Sequence, residues 1–250
     1  MAGKRRTVNF PQATRDADRK SMPPRTSRHS FRTALSVPVP IPPARRELVR
    51  RALADGLVMT YPTETFYALG GNALDAGLVN EIYRLKGRGA GKPLPLLVDA
   101  RRGLDGWVGE PPPEAERLMA RFWPGPLTLV LPAGPRLPPH LRDARGNVAL
   151  RWSPHPAIAE LLALGEVPLI GTSANRSGAP GLNTAQAVLD AFDGEPILAL
   201  DGGPAPGGAP STVLDVTVRP FDLVRAGAVP VAELRAALAE TPDLAPVEAR

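Results

Sequence analysis

With 250 residues, 43% of them hydrophobic, the chain can bury a full core and suits one large domain or two small ones. It has no cysteine, which excludes a disulfide framework, a thiol nucleophile and cysteine-ligated zinc; no stretch approaches a membrane span; and His29, His140 and His155 are too scattered for a metal site. The formal charge of +5 is local, because residues 1–36 hold nine Lys and Arg against two Asp and the rest carries 21 basic against 23 acidic side chains. A polyanion site in the folded part must therefore come from clustering.

Residues 1–36 are basic, rich in Ser and Thr and without apolar periodicity, the composition of a disordered tail. The Pro-rich Val37–Pro43 reads as a linker. LSVPVPIPP, the apolar run after the charges, is broken by prolines and does not read as a secretory signal. A mitochondrial transit peptide matches the Arg and Ser content but not Asp16, Asp18 or the missing amphipathic helix. An RNA-contacting arm and an overlong start are the other readings. From Ala44 the pattern predicts helices at 44–54, 76–85, 114–122, 156–163, 184–192 and 230–239. Strands are predicted at 57–60, 94–98, 127–131, 148–152, 168–171, 196–200, 212–216 and 222–225. This alternation predicts an α/β domain over 37–240, a twisted and partly parallel sheet covered by helices, followed by a tail at 241–250.

The densest stretch is Thr60 to Val98, TYPTETFYALGGNALDAGLVNEIYRLKGRGAGKPLPLLV. Pro62 stops an apolar strand before the polar turn Thr63-Glu64-Thr65. Asp75 then reads as the N-cap of a helix with Leu78, Ile82 and Leu85 on one face. The helix runs into Lys86-Gly87-Arg88-Gly89-Ala90-Gly91-Lys92, three cations among three glycines, which suits close approach of a phosphate. A solvated turn at a helix end is the alternative. A Walker A loop is excluded, since Lys86 and Pro93 stand where that motif needs Gly and Ser or Thr.

Three further groups follow. Gly171-Thr172-Ser173-Ala174-Asn175-Arg176-Ser177-Gly178 places hydroxyls and an amide after an apolar run; an Asn/Ser/Gly turn is the plainer reading, and Asn175 stands where a serine-hydrolase elbow needs Gly. A Gly/Pro loop from Asp201 delivers Ser211 and Thr212 into a strand. Arg151 in VALRW and Arg225 in LVRAG interrupt apolar segments, either as structural ion pairs or as clamps on a carboxylate or phosphate.

In order, YPTETFYALGGNALD, IYRLKGRGAGKPL, FWPGPLTLVL, VALRWSPHP, GTSANRSG, PSTVLD and LVRAG resemble the YrdC family of threonylcarbamoyl-AMP synthases over about residues 41–229. The resemblance implies a YrdC-like fold of α/β type (α+β in some schemes), a twisted mixed β-sheet flanked by helices around a large positively lined cavity. It implies that L-threonine, bicarbonate and ATP become threonylcarbamoyl-AMP and pyrophosphate, for threonylcarbamoyladenosine modification of tRNA. The family's threonine contacts match Thr65, Arg151 and Ser211; its ATP contacts match Lys86, Arg88, Lys92, Asn147, Ser173, Asn175 and Arg225. The implied reaction needs no side chain as a nucleophile, and in it Lys86 and Arg88 would stabilise charge. Also implied are Mg²⁺ with ATP, a cytoplasmic setting without membrane, a downstream threonylcarbamoyl transferase and contact with tRNA or double-stranded RNA. A double-stranded RNA or tRNA-binding paralogue without the activity is the second reading. The carbamoyltransferases of hydrogenase maturation share a related domain but need cysteine-rich zinc modules that this chain lacks. Some relatives carry His at Leu97, Asn at Lys92 and Ser at Gly181, and Tyr67-Ala68-Leu69 replaces the usual Tyr-Gly-Leu.

Overall fold

A computed structural model describes residues 35–87, 89 and 94–238. The readings placed on residues 1–34, Arg88, Lys92 and the C-terminal tail fall outside the described residues. In chain order the elements are β1 (Leu35–Pro38), α1 (Pro43–Ala54), β2 (Met59–Tyr61), β3 (Ala68–Gly70), α2 (Ala76–Lys86), β4 (Leu96–Leu97), α3 (Pro113–Phe122), β5 (Leu127–Pro132) and β6 (Asn147–Arg151). They continue with α4 (Pro156–Gly165), β7 (Leu169–Ile170), β8 (Thr172–Ser173), α5 (Ala185–Ala191), β9 (Leu198–Asp201), β10 (Thr212–Asp215), β11 (Asp222–Arg225) and α6 (Val231–Leu238).

The strands form two mixed sheets rather than one: a five-stranded sheet in the order β1-β9-β2-β3-β8 and a six-stranded sheet in the order β11-β10-β5-β6-β4-β7. The chain passes between them at Gly171, so the single strand expected at 168–171 is two short strands in different sheets. Gly171 permits the crossing because a Cβ there would lie 2.5 Å from Leu97 Cγ. The supposed linker is corrected as well. Leu35–Pro38 pairs in parallel with β9, and Val37 is fully buried. Its prolines are compatible with an edge strand, and its partner lies far along the chain, so local composition gave no sign of the pairing.

Period-two alternation assigns the faces. In the five-stranded sheet Met59, Tyr61, Ala68, Leu198 and Leu200 pack with α1 and α4, through Val49, Leu53, Ile158 and Leu161. Leu69 and Ala199 face the other way, into the core that holds Leu78 and Ile82 of α2 and Val188 of α5. In the six-stranded sheet Leu127, Leu129, Leu131, Val148, Leu150, Leu214 and Leu223 join that larger core with Ala115 and Leu118 of α3 and Leu234 of α6. Their alternates do not. Thr128, Val130, Asn147, Ala149, Arg151, Val213 and Asp215 line a cavity instead.

Helix α2 ends as its sequence predicts. Asp75 caps it by accepting from the Leu78 N–H at 2.9 Å, Leu78, Ile82 and Leu85 are buried, and Gly87 turns left-handed at φ 60° to stop it. The two sheets are stitched at Tyr61, whose hydroxyl donates to the Ile170 carbonyl directly over Gly70. A Cβ on Gly70 would come within 1.9 Å of that carbonyl oxygen and 2.0 Å of the Tyr61 hydroxyl. Burial pushes the Tyr61 phenol far above its ordinary range, so it remains a donor.

Candidate functional site

The cavity, about 960 Å³, lies against the polar face of the six-stranded sheet and is completed by the turns after β2 and β8. Its lining includes each described residue that the resemblance matched to a substrate contact: Thr65, Lys86, Asn147, Arg151, Ser173, Asn175, Ser211 and Arg225. Strand alternation explains the two odd arginines. Arg151 occupies a cavity-facing position of β6 and Arg225 the end of β11, so each interrupts an apolar pattern without entering the core.

Arg151 is only 6% exposed. Its Nη2 donates to Glu64 Oε2 at 3.0 Å, and the same oxygen accepts from Ser153 Oγ. This is an ion pair, as one sequence reading held, but a one-armed one. Arg151 Nε and Glu64 Oε1 are both buried without a hydrogen-bond partner among the described residues. An unmet buried polar atom costs roughly 1–3 kcal/mol, which makes the arrangement a poor device for stability alone. Burial holds the Arg151 guanidinium below the usual arginine range and the Glu64 carboxylate opposes that shift.

Arg225 is held differently. Its Nε and Nη2 donate to the Ser211 carbonyl at 3.1 and 2.8 Å, and Nη2 also reaches Ser211 Oγ at 2.9 Å. It makes no ion pair among the described residues. Burial and then the neighbouring charge of Arg151 push it below the usual arginine range. Two guanidiniums that disfavour each other's charge make a field that favours an anion. Ser211 is fixed from behind by Gly227, where a Cβ would meet the Pro210 carbonyl oxygen at 2.2 Å, and it shares a hydrogen bond with Thr128 Oγ1 at 3.0 Å.

Lys86, 4% exposed, ends α2 beneath the turn after β8. Its Nζ donates to the Ser173 carbonyl at 2.6 Å, the Asn175 carbonyl at 2.9 Å and Asn175 Oδ1 at 3.3 Å, while Ser173 Oγ donates to Asn175 Oδ1 at 2.6 Å. The polar run after β8 is thus one short strand and a turn wrapped on an ammonium. Thr65 shares a hydrogen bond with Thr63 at 3.0 Å and accepts from the Gly207 N–H at 2.7 Å, tying the Gly/Pro loop to the β2 turn.

Sequence reasoning gave no role to Glu64, Asp143, Arg145 or Asp215. Arg145 bridges Asp215 and, at 3.5 Å, Asp143. Asp143 Oδ1 accepts from the Asn147 N–H at 2.7 Å, and Asn147 Nδ2 reaches Thr217 Oγ1 at 3.3 Å. The signals were present, in the D-x-R-x-N run before β6 and in the aspartate closing PSTVLD. Charge alternation in a loop does not reveal which carboxylate an arginine will meet. The lining therefore has Arg151 and Arg225 close enough to feel each other's charge, and separately a group of two carboxylates on one guanidinium, Asp143 and Asp215 on Arg145, with a formal excess of one negative charge.

Fold and site define an α/β protein with a large cavity whose lining includes Lys86, Arg145, Arg151 and Arg225. The Sua5_yciO_yrdC family model, described as Telomere recombination, matches residues 51–227. The chain belongs to this Sua5/YciO/YrdC family. It is 39% identical over 188 residues to a threonylcarbamoyl-AMP synthase of Pyrococcus abyssi, covering 75% of this chain and 55% of the relative. It is 41% identical over 165 residues to a threonylcarbamoyl-AMP synthase of Thiobacillus denitrificans, covering 66% and 87% respectively. The crystal structure of P. abyssi Sua5 complexed with L-threonine superposes with a TM-score of 0.76 at 34% identity, over 87% of this chain and 67% of that one. The chain spans little more than half the length of the Pyrococcus relative and of its Bacillus subtilis counterpart, 55% and 54%.

Proposed function

We propose that the chain is a nucleotidyltransferase that makes threonylcarbamoyl-AMP from L-threonine, bicarbonate and ATP, releasing pyrophosphate, for threonylcarbamoyladenosine modification of tRNA. The observation that carries this reading is the convergence on one cavity of the eight described residues matched to the family's substrate contacts, beside relatives named for the reaction. The threonine amine takes up bicarbonate with loss of water to give a carbamate, and a carbamate oxygen attacks the α-phosphorus of ATP as pyrophosphate leaves. The nucleophile comes from the substrate. The protein's part is positioning and charge stabilisation, which suits a lining of Lys, Arg, Ser, Thr and Asn.

In this reading Arg151, with Thr65 and Ser211, receives threonine. Arg225, Asn147, Ser173 and Asn175 receive the nucleotide, joined by Arg88 and Lys92. Lys86 acts beside them by fixing the turn that carries Ser173 and Asn175 and by contributing its charge. Mg²⁺ is proposed as the companion of ATP. Among the described residues no three His, Cys, Asp or Glu gather as a metal cage, and the lining carboxylates Asp143 and Asp215 are engaged by Arg145, Asn147 and Thr217. Phosphate oxygens and water would hold the ion, not a protein cage.

No helix among the described residues is long and apolar enough to cross a membrane. A cytoplasmic setting, where tRNA and the transferase that consumes the adenylate are found, is part of the proposal. Incubation with ATP, threonine and bicarbonate is expected to give a product of the mass of threonylcarbamoyl-AMP, with pyrophosphate release that requires threonine. Threonine-independent release, or none, overturns the reading.

A further inference from the structure

Glu64 stands between two cavity-lining threonines, Thr63 and Thr65, and is bound to a third lining residue, Arg151. Its Oε2 has two donors, Arg151 and Ser153, whereas its buried Oε1 has none among the described residues. Arg151 shows the reverse deficit, with Nη2 engaged and buried Nε unmet. The nearby imidazole does not supply the missing donor from Nδ1, because His155 Nδ1 accepts from the Ala157 N–H at 3.2 Å and caps α4. A pair selected for stability would close as a fork with both carboxylate oxygens matched. Instead, one cationic donor and one anionic acceptor stay unmet on the two partners of a single ion pair at the cavity wall. Their complement is a small molecule that carries both a carboxylate and an ammonium, as an α-amino acid does.

We propose that Glu64 is the specificity-determining residue for the substrate's α-amine: Oε1 accepts from the ammonium while Arg151 Nε and its neighbouring N–H take the carboxylate. The assignment of threonine as that amino acid rests on the synthase reading; the recognition of an α-amino acid rests on the unmet pair. Both atoms are shut off from solvent, so the ligand meets them by parting the Arg151–Glu64 contact, with Ser153 retaining its bond to Oε2. An acid without an amine leaves Oε1 as unmet as it was and so gains nothing from Glu64. Glu64 thereby sorts amino acids from the many simple carboxylates that an arginine alone would accept.

The test compares L-threonine with 3-hydroxybutyrate, which keeps the carboxylate and hydroxyl and lacks the amine, by titration calorimetry on the full chain. Glu64→Gln keeps the shape of the side chain and an acceptor for Ser153 but removes the charge. Threonine affinity is expected to fall roughly 10- to 100-fold in this variant while that for 3-hydroxybutyrate stays within about twofold. Glu64→Asp, the variant to use if Glu64→Gln does not fold, is expected to keep part of the preference for threonine. Equal losses for both ligands would show that Glu64 only holds Arg151 in place, and gains for both would show a mere competitor for the guanidinium; either overturns the proposal, as does no change. A wild-type chain that ignores threonine, yet binds another L-amino acid in a Glu64-dependent way, would overturn the threonine reading and uphold the amine assignment.

Discussion

The five-stranded and six-stranded sheets start from the same alternating strands and use the second face differently. In the five-stranded sheet both faces meet apolar cores, and the one polar side chain at the centre, Thr60, is satisfied within the sheet by donating to the Ala68 carbonyl at 2.9 Å. In the six-stranded sheet one face is apolar, and the other, which meets the smaller core only at Leu97 and Leu169, carries Thr128, Asn147, Arg151 and Asp215 into the cavity. A polar residue inside an apolar strand therefore has two meanings. At Thr60, as at the core-facing Thr212 of β10, it is a private hydrogen bond; on the cavity face of the six-stranded sheet it is a wall of the site. Substitutions in the first should act on stability and those on the cavity face of the second on ligand handling.

The strongest test of that division is Gly70→Ala in the five-stranded sheet. Its Cβ would collide with backbone and with the Tyr61 hydroxyl, neither of which can yield without parting the two sheets. A loss of at least about 3 kcal/mol in urea unfolding is expected. A loss below about 1 kcal/mol would mean the stitch at Tyr61 is not structural. The counterpart on the six-stranded sheet is Arg151→Lys, which keeps the charge and loses the fork. The threonine KM is expected to rise roughly 10- to 100-fold with the ATP KM nearly unchanged. A matching rise in both would place Arg151 among structural groups and erase the contrast.

Truncation sharpens the boundary of the five-stranded sheet. Removing residues 1–34 spares β1 and is expected to leave stability within about 0.5 kcal/mol and turnover unchanged. Removal through Pro38 takes away the buried Val37 and uncovers β9, at an expected cost of about 2–3 kcal/mol in the same unfolding assay. Equal effects of the two deletions would contradict the pairing of β1 with β9.

The smallest expected effect concerns pH and the acidic end of the cavity. Burial pushes the Asp143 carboxyl up, but N–H bonds from Asn147 and Arg145 and the Arg145 charge outweigh it and hold the group below the usual carboxylate range. A depressed carboxyl contributes stability that is complete above its unfolded pKa, about 4, and is lost as pH falls through the lower folded value. Asp143→Asn is expected to flatten the fall of melting temperature below about pH 4, relative to the parent chain. An unchanged slope would remove Asp143 from the acid-sensitive groups.

Much of this was legible in the residues. Asp75 as a cap, the buried stripe of α2 and the helix opened by Pro230 follow from patterns that are local in sequence, whereas the eight described cavity residues were assembled as a set by the family resemblance. What was not legible depends on partners far along the chain. Leu35–Pro38 becomes a strand only because β9 is there, and the split at Gly171 follows from the approach of Leu97. Strand β3 was missed because Ala68–Gly70 is three residues long and ends in glycine, a composition that reads as a turn. Glu64 was visible in its polar turn, yet nothing local indicated that one of its oxygens would be buried without a donor.

Lys86 gives the chain a mechanical property as well as a charge. Its ammonium holds the Ser173 and Asn175 carbonyls, and its own carbonyl accepts from the Ser177 N–H at 2.9 Å, so the end of α2 and the 173–177 turn are laced together in both directions. A ligand phosphate that draws the ammonium toward itself must slacken that lacing, and the turn in return limits how far the ammonium travels. Under the proposed function, nucleotide occupancy and local amide exchange are then linked quantities. Mass-resolved deuterium uptake in the peptide spanning 173–179 is expected to change on adding ATP, and Lys86→Met is expected to raise uptake there even without it, while peptides of β1 and β9 stay as they were.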